Sequence, residues 1–335
     1  MTAMSQSVAD VHVAISGASG YLGRALIDDC LLSGRRFGAL SHSGRMRQDV
    51  GGGGACFVGD LLQPDTMTGW LQPGQTVVHL AYMWSAGEAA NLQATENLLA
   101  ACRASGVRRL VHVSTAAVVG RADTAWVDET TPCRPATDYG RTKLRIEEAV
   151  RRFSTAADVD TVILRPTSVF GPAGAPLEKL CRDLRELGWF RNYMRTCLFG
   201  RRAMNLVSIE NVVAAIRFAI DYPDHFGGET LIVSDDEDPK NNFADVESIL
   251  RNVMGLGDYP IPPVPLPRIV LEMMLRSMRR NIVDTRCRFR SARLRALGFV
   301  PPLAFENALV GYARWSRQMD DARRSSHATG EDGRR

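Results

Sequence analysis

The sequence predicts an α/β fold, in which a doubly wound parallel sheet is joined to a smaller, mostly helical C-terminal lobe. Three observations support it: short apolar runs alternate with longer helical patterns, the runs show no polar alternation, and six of them fall in the first half of the chain. Strands covered by helices on both faces read as continuous runs of Val, Ile, Leu or Phe, and this alternation is typical of repeated βα units. The six runs are residues 11–16, 37–41, 55–58, 76–81, 110–114 and 161–165.

Helical patterns lie between these runs and after them, and one further apolar run, residues 230–234, predicts a seventh strand. The last predicted helix is basic and contains methionines. Its apolar positions favour packing against a core over contact with a membrane surface. The predicted helices are residues 22–33, 86–104, 139–152, 211–220 and 268–280.

Composition narrows the class of protein. The chain has 335 residues, 45% hydrophobic and 23% charged, with a net charge of +4, as in ordinary globular proteins. Arginines are frequent in its last third, where a solvated helical face is favoured over a polyanion site, so no nucleic acid partner is expected. Seven scattered cysteines without metal-ligand spacing predict free thiols and no metal site. With neither an export signal nor an apolar stretch long enough to enter a bilayer, the sequence predicts a cytoplasmic protein without membrane insertion.

A glycine motif follows directly on the first predicted strand and opens the first helix. Such a turn needs residues without a Cβ atom, and the N–H groups of the helix N-terminus can bind a pyrophosphate. The motif therefore predicts a dinucleotide site. Its predicted contacts are Gly17, Ser19, Gly20, Tyr21, Leu22 and Gly23.

The end of the second strand bears on the choice between NAD and NADP. An acidic residue there normally binds the ribose 2′-hydroxyl of NAD. This chain has Ser41, followed by His42, Arg45 and Arg47. Hydroxyl and arginine side chains can accept a 2′-phosphate, so the sequence slightly favours NADP, while NAD stays open.

Two later segments are predicted to complete the cofactor crevice. Asp60 and Leu61 follow the third strand, where the carboxylate could accept a hydrogen bond from the adenine amino group or cap a turn, with neither alternative favoured. Leu80 and Ala81 end the fourth strand. Hydrogen-bonded core histidines are expected at two positions, His79 and His112.

A candidate catalytic group lies at the start of the third helix. Tyr139 and Lys143 are four residues apart and so share one helix face. A fixed cation favours the phenolate, so we expect Lys143 to lower the pKa of Tyr139 toward a range useful for acid–base chemistry. Ser114 and Thr115 end the fifth strand, where Thr115 can hydrogen-bond the reacting oxygen.

In their order and spacing, these motifs resemble the extended short-chain dehydrogenases/reductases, the nucleotide-sugar epimerase/dehydratase group. The resemblance covers about residues 10–315. It implies a Rossmann fold, a catalytic triad of Thr115, Tyr139 and Lys143, and a small-molecule substrate, and it makes a homodimer plausible. It also implies cofactor contacts at Ser114, Tyr139 and Lys143, and at Pro166 against the nicotinamide. The motifs that carry it are residues 17–23, 79–81, 113–115, 139–143, 165–172 and 297–301.

The expected domains follow from these motifs and from residues 171–176, where proline and glycine accumulate and the alternation ends. The last residues have the composition of a solvated tail. The expected division is a dinucleotide-binding domain over 10–170 and 205–236, a substrate lobe over 171–204 and 237–316, and a tail over 317–335.

The substrate is less well defined. Residues 205–213 and 232–235 resemble bacterial sugar-nucleotide epimerases and 4-keto-reductases. Met204 stands where that group commonly has a diphosphate-binding arginine, and Val119 where it often has a tyrosine. The predicted substrate contacts are Thr167 and, as substitutes for the missing arginine, Arg201 and Arg202.

The leading hypothesis is therefore an NAD(P)-dependent 4-epimerase or 4-keto-reductase that acts on a UDP-hexose or a related NDP-sugar. One alternative is a 3β-hydroxysteroid or small-ketone dehydrogenase, since residues 260–278 resemble that group too. Another is a noncatalytic dinucleotide sensor, against which the intact Thr115, Tyr139 and Lys143 argue, because a sensor needs the glycines but not the phenol and its cation.

Overall fold

A computed structural model describes residues 12–42, 53–120, 122, 124–267, 269, 273 and 287–331, with side chains as far as residue 322. Seven parallel strands form the main sheet. They are β1 (Val13–Ser16), β2 (Phe37–Ser41), β3 (Gly54–Val58), β4 (Thr76–His79), β5 (Arg109–Val113), β7 (Asp160–Pro166) and β10 (Glu229–Val233).

The strand order is β10-β7-β5-β4-β1-β2-β3. From β1 the chain moves outward to β2 and β3, then returns to the other side of β1 and moves outward again through β4 and β5. In open sheets of this kind, ligands bind at the point where the strand order reverses, beyond the carboxyl ends of the strands. That point lies between β1 and β4, where Ser16 pairs with His79. The predicted fold class is confirmed.

Two helical layers cover the sheet, and alternate residues of each strand face opposite layers. The helices are α1 (Tyr21–Leu32), α2 (Glu88–Ser105), α3 (Asp138–Ala156) and α6 (Ile209–Asp221). Val13 and Ile15 of β1 pack in one buried core with α1 and α6, whereas Ala14 packs in another with α2 and α3.

The remaining elements include two small parallel sheets and five helices. The strand pairs are β6 (Trp126–Val127) with β11 (Arg288–Phe289), and β8 (Ser168–Phe170) with β9 (Leu206–Ser208). The helices are α4 (Ala175–Glu186), α5 (Trp189–Phe199), α7 (Phe243–Met254), α8 (Ala292–Ala296) and α9 (Phe305–Glu331).

A core separate from those of the main sheet joins α4, α7 and α9, and includes Leu177, Val246 and Leu309. This separate core supports the expected second lobe, although the domain limits stay a prediction. Residues 317–331, expected as a tail, are helical as the second half of α9. The predicted helix over 268–280 and Arg45 and Arg47 lie outside the described residues, apart from residues 269 and 273.

Two buried aspartates, Asp235 and Asp236, follow β10 and tie the main sheet to later parts of the chain. Asp235 accepts hydrogen bonds from the backbone N–H of Ser208 (3.0 Å) and from Asn211 Nδ2 (3.0 Å). Burial raises the pKa of each aspartate to about 6, against the opposing effect of hydrogen-bond donors, which are Ser208 and Asn211 at Asp235 and Asn205 and Phe289 at Asp236.

Asp236 accepts three hydrogen bonds from three separate segments. The donors are Asn205 Nδ2 before β9 (2.6 Å), the backbone N–H of Phe289 in β11 (2.9 Å), and Asn241 Nδ2 before α7 (2.9 Å). One side chain therefore links the end of the main sheet to both small sheets and to α7.

The seven cysteines are free thiols, five of them buried. Within the described part of the chain, each helix is too short or too polar to cross a membrane.

Candidate active site

A cavity of about 700 Å³ opens at the carboxyl ends of β1, β4, β5 and β7. Every residue that the sequence predicts as a cofactor contact lines it, together with Thr115 and Thr167. These cofactor candidates are Gly17, Ser19, Gly20, Tyr21, Leu22, Gly23, Asp60, Leu61, Leu80, Ala81, Ser114, Tyr139, Lys143 and Pro166.

The glycine turn at the start of α1 forms a cradle that side chains would fill. Gly17 has φ +72, and a Cβ atom there would lie 2.5 Å from the backbone nitrogen of Ala81. A Cβ atom at Gly23 would lie 2.3 Å from the carbonyl oxygen of Gly17. Among the described residues, no side chain caps the helix at Gly20. The first N–H groups of α1 are therefore available at the cavity wall, as pyrophosphate binding requires.

Asp60 closes a turn and also lines the cavity. Its Oδ1 accepts a hydrogen bond from the backbone N–H of Leu62 (2.9 Å), which is the turn cap that the sequence left open beside an adenine contact. Its Oδ2 lies 3.4 Å from Nε2 of His42, an exposed residue at the end of β2 that lines the same wall. The carboxylate therefore has a structural partner and still borders the space where an adenosine would lie.

Three residues that line the cavity carry a buried hydroxyl without a hydrogen-bond partner among the described residues. These hydroxyls are Tyr21 Oη in α1, Ser114 Oγ after β5 and Thr167 Oγ1 after β7. A buried hydroxyl without a partner is costly. Their placement fits a bound ligand with polar groups at this end of the cavity.

The candidate catalytic tyrosine lies in the first turn of α3. Thr137 caps this helix by accepting a hydrogen bond from the backbone N–H of Gly140 (3.1 Å), which fixes where Tyr139 projects. The side chains of Tyr139 and Thr115 share a hydrogen bond. Burial raises the pKa of Tyr139, the hydrogen bond with Thr115 lowers it, and Tyr82 raises it further. The expected lowering of this pKa is therefore wrong, because burial outweighs the opposing effects.

Lys143 is fully enclosed one helical turn further on. Its Nζ donates a hydrogen bond to the carbonyl of Val113 (3.1 Å) and lies 5.4 Å from the centre of the Tyr82 ring. Burial lowers the pKa of Lys143 to about 8, although Glu147 raises it. Glu147 is itself held by Arg165, through bonds of 2.9 Å and 2.7 Å.

A cluster of aromatic rings surrounds Tyr139, and sequence reasoning missed it. The Trp84 ring stacks on the Tyr139 ring, with centroids 4.8 Å apart and planes 19° apart. The Tyr82 ring meets the Tyr139 ring edge-on at 5.0 Å and 88°. The available signal was the run of Tyr82, Met83 and Trp84 directly after a strand that ends in the crevice. All three residues line the cavity.

The two strand histidines differ. His79 Nδ1 is 2.7 Å from Ser16 Oγ and its Nε2 is 3.4 Å from Thr95 Oγ1, so the expected hydrogen-bonded core histidine is confirmed. Burial and Lys143 lower the pKa of His79 to about 3. His112 is buried, but neither of its ring nitrogens has a partner among the described residues, so the expectation is wrong there. Its neighbours on the adjacent strands are His79 and Ile163, and its ring centre lies 5.2 Å from that of His79.

The predicted substrate contacts separate into two groups. Thr167 lines the cavity, but Arg201 and Arg202 do not. Arg201 is exposed and pairs with Asp245 at 3.3 Å, and the guanidinium of Arg202 lies 5.9 Å from the centre of the Phe199 ring.

Met204 and Val119, the two positions at which the sequence differs from the pattern of sugar-nucleotide epimerases, both contact apolar side chains. Met204 packs against the core of α4, α7 and α9. Val119 is fully buried in a small core of its own with Val127 and Ile232.

Comparison with known proteins supports the fold. A model of the NAD dependent epimerase/dehydratase family matches residues 13–233. Over 168 residues the chain is 34% identical to a 4-hydroxy-2-methyl-3-oxo-4-farnesyl-3,4-dihydroquinoline-1-oxide ketoreductase of Stigmatella aurantiaca, across 47% of this chain and 50% of that protein. Over 240 residues it is 26% identical to the ADP-L-glycero-D-manno-heptose-6-epimerase of Cupriavidus pinatubonensis, across 67% of this chain and 70% of that protein. The chain thus spans about half the length of the ketoreductase.

The fold is similar to that of UDP-glucuronic acid 4-epimerase from Bacillus cereus, solved in complex with NAD. The TM-score is 0.70 at 18% identity, over 92% of this chain and 97% of that one. The family match includes the glycine cradle, Thr115, Tyr139 and Lys143. The chain therefore belongs to the NAD dependent epimerase/dehydratase family.

Proposed function

We propose that the chain is an NAD(P)-dependent enzyme of the short-chain dehydrogenase/reductase type that interconverts a secondary alcohol and a ketone, with Thr115, Tyr139 and Lys143 handling the proton. One observation carries the proposal: a single cavity unites the glycine cradle with these three side chains. A dinucleotide that occupies the cradle would extend toward the buried hydroxyls and the triad.

The residues of the cavity fit NAD or NADP. The N–H groups at the start of α1 would bind the pyrophosphate, Asp60 would border the adenosine, and Pro166 would lie against the nicotinamide. When bound, the cofactor supplies or accepts the hydride. The slight preference for NADP stays a prediction, since Arg45 and Arg47 lie outside the described residues. The homodimer also stays a prediction.

Proton transfer follows from the positions of the three side chains. In the direction of reduction, Tyr139 would donate its phenolic proton to the carbonyl oxygen as that oxygen gains negative charge. Thr115 would donate a hydrogen bond to the same oxygen. Lys143, on the same face of α3, would stabilise the phenolate that remains. In the direction of oxidation the same groups act in reverse.

Two substrate classes remain, and the described residues favour an apolar ketone. The diphosphate of a sugar nucleotide is bound most strongly by cationic side chains. Among the described residues that line the cavity, the basic side chains are His42 and Lys143. His42 lies beside Asp60, and Lys143 donates a hydrogen bond to the carbonyl of Val113, so both already have partners within the protein. The ketoreductase similarity supports this class. A nucleotide-sugar epimerase or 4-keto-reductase remains the second candidate, supported by the similarity to the heptose epimerase.

The variant Tyr139→Phe tests the chemistry. We expect kcat to fall by at least about 100-fold, because the variant lacks the proton donor. Binding of the reduced cofactor, followed by its fluorescence, should match wild type, and the matched control Tyr193→Phe in α5 should keep full activity. Unchanged turnover in Tyr139→Phe would contradict the proposal. Competition by UDP for the substrate would favour the nucleotide-sugar candidate.

A further inference from the structure

Tyr82 and Trp84 form an aromatic wall beside the group that handles the proton. Both rings contact the Tyr139 ring, and they meet each other edge-on at 4.9 Å and 72°. A substrate whose carbonyl oxygen reaches the Tyr139 hydroxyl must therefore pass or touch this wall.

The loop that carries the wall is held in place. Asn91, a buried residue of α2, accepts a hydrogen bond from the backbone N–H of Met83 (2.8 Å). Its Nδ2 donates to the carbonyl oxygens of Met83 (3.1 Å) and Gly87 (3.1 Å). A backbone hydrogen bond from the Ala86 N–H to the Met83 carbonyl (3.2 Å) closes a turn in the same loop. Trp84 is thus presented by a braced loop.

Trp84 is nevertheless 76% exposed. The hydrogen bonds that hold its loop involve Asn91 and backbone groups, so they do not require an aromatic side chain at position 84. Large aromatic side chains that are exposed at fixed positions typically mark binding surfaces, because covering them releases water from apolar area. One face of the indole stacks on Tyr139, and most of the remaining ring surface is open to a ligand.

Part of the lining that accompanies the wall is apolar. Met83, Val169 and Pro176 line the cavity with the wall. The lining also contains the unpartnered hydroxyls of Ser114 and Thr167, whereas Arg201 and Arg202 lie outside it. A flat ring system can stack on indole and remain against the apolar side chains, and the hydroxyls stay available to the polar groups of the cofactor or of the substrate.

We infer that the substrate is a planar, apolar ring ketone, or the corresponding secondary alcohol, that stacks on Trp84 with its oxygen at Tyr139. The inference deepens the proposed function and rests on it. It makes Trp84 a specificity-determining residue, and it makes ring planarity the property that the enzyme selects.

Two ketones with the same carbon skeleton test the inference. 2-Tetralone contains a flat aromatic ring, whereas 2-decalone is saturated and puckered, and in neither is the carbonyl conjugated with a ring. We expect wild type to prefer 2-tetralone in kcat/KM. In Trp84→Leu the ratio of the two values should fall about tenfold, the effect of losing one aromatic stacking contact together with its buried area. Trp84→Phe should retain part of the preference, and the control Trp189→Leu, at another exposed tryptophan, should retain all of it.

An equal loss for both ketones in Trp84→Leu would overturn the inference, because Trp84 would then act only through Tyr139. If Trp84→Leu does not fold, the conservative Trp84→Phe decides by the same ratio. Binding separates this inference from the proposed function. Saturable binding of 2-tetralone measured by isothermal titration calorimetry, weaker in Trp84→Leu than in wild type, would support the inference even without turnover. Turnover of other alcohols without binding of 2-tetralone would overturn it and leave the proposed function intact.

Discussion

Two opposing effects act on the pKa of Lys143. Enclosure in the protein disfavours its charge, whereas Glu147 favours it, and the balance brings its pKa to about 8. Tyr139, one turn away, keeps its proton to high pH because burial raises its pKa. In reduction both groups are needed in their protonated forms, so the residue with the lower pKa sets the upper pH limit.

We therefore expect kcat/KM for ketone reduction to fall as pH rises through about 8. Lysine is charged below its pKa and neutral above it, so the stabilisation of the phenolate is lost on the alkaline side. The measurement is a pH profile with saturating reduced cofactor. In Lys143→Arg, whose guanidinium stays charged, the residual activity should show no such fall up to about pH 10. The same alkaline fall in Lys143→Arg would rule out Lys143 as its cause.

At the scale of elements, the strand–turn–helix unit of β1 and α1 depends on contacts between backbones. Gly17 brings the turn against the end of β4, and the close approach at Ala81 leaves no room for a methyl group. Gly34, after the same helix, has a similar φ of +67, but a methyl group added there would meet nothing within 4 Å. Substituting alanine at Gly34 therefore measures the cost of a left-handed conformation alone, whereas the same substitution at Gly17 adds the cost of a steric clash.

Gly34→Ala should lower the free energy of unfolding by about 1 kcal/mol, the cost of a left-handed alanine. Gly17→Ala should lower it by about 3 kcal/mol, because overpacking adds to the same backbone cost. Urea unfolding measures both. Titration with NADH should show normal binding for Gly34→Ala and little or none for Gly17→Ala. Equal losses in the two variants would mean that the contact with Ala81 is unimportant.

The elements differ in how well the sequence predicted them. Buried strands such as β1 and β2 are mainly apolar runs, and the glycine turn and the Tyr139 helix carry strong local patterns. The helix α4 was missed although Leu177, Leu180 and Leu184 have helical spacing, because the regular alternation had already ended. The aromatic wall was missed: the run of Tyr82, Met83 and Trp84 after β4 was a signal for aromatic rings at the crevice, but no periodicity in the loop shows that Asn91 holds them beside Tyr139.

At the scale of the whole molecule, the main sheet and the later elements are joined through buried polar groups as well as apolar cores. Asp236 receives donors from the segments before β9 and α7 and from β11. None of these pairings is visible in the sequence, because the partners are 5 to 53 positions apart and share no motif. For the same reason Arg201 and Arg202, chosen for their nearness to Met204 in the chain, do not line the cavity.

Asp236→Ala should lower the free energy of unfolding by about 3 kcal/mol at neutral pH, because several buried donors lose their acceptor. The control is Asp221→Ala, which removes a half-exposed ion pair with Arg35 and should cost less than about 1 kcal/mol. Urea unfolding followed by circular dichroism gives both values. A loss for Asp236→Ala no larger than that of the control would show that the junction is not held by this side chain.

The brace of the aromatic wall is electrically neutral. Asn91 holds its loop with an amide and with backbone groups, none of which titrates or carries a charge that salt can screen. This brace is consequently insensitive to acidity and ionic strength. A dependence of the reaction on either therefore reports groups other than the brace, such as Lys143, whose Nζ lies 5.4 Å from the centre of the Tyr82 ring.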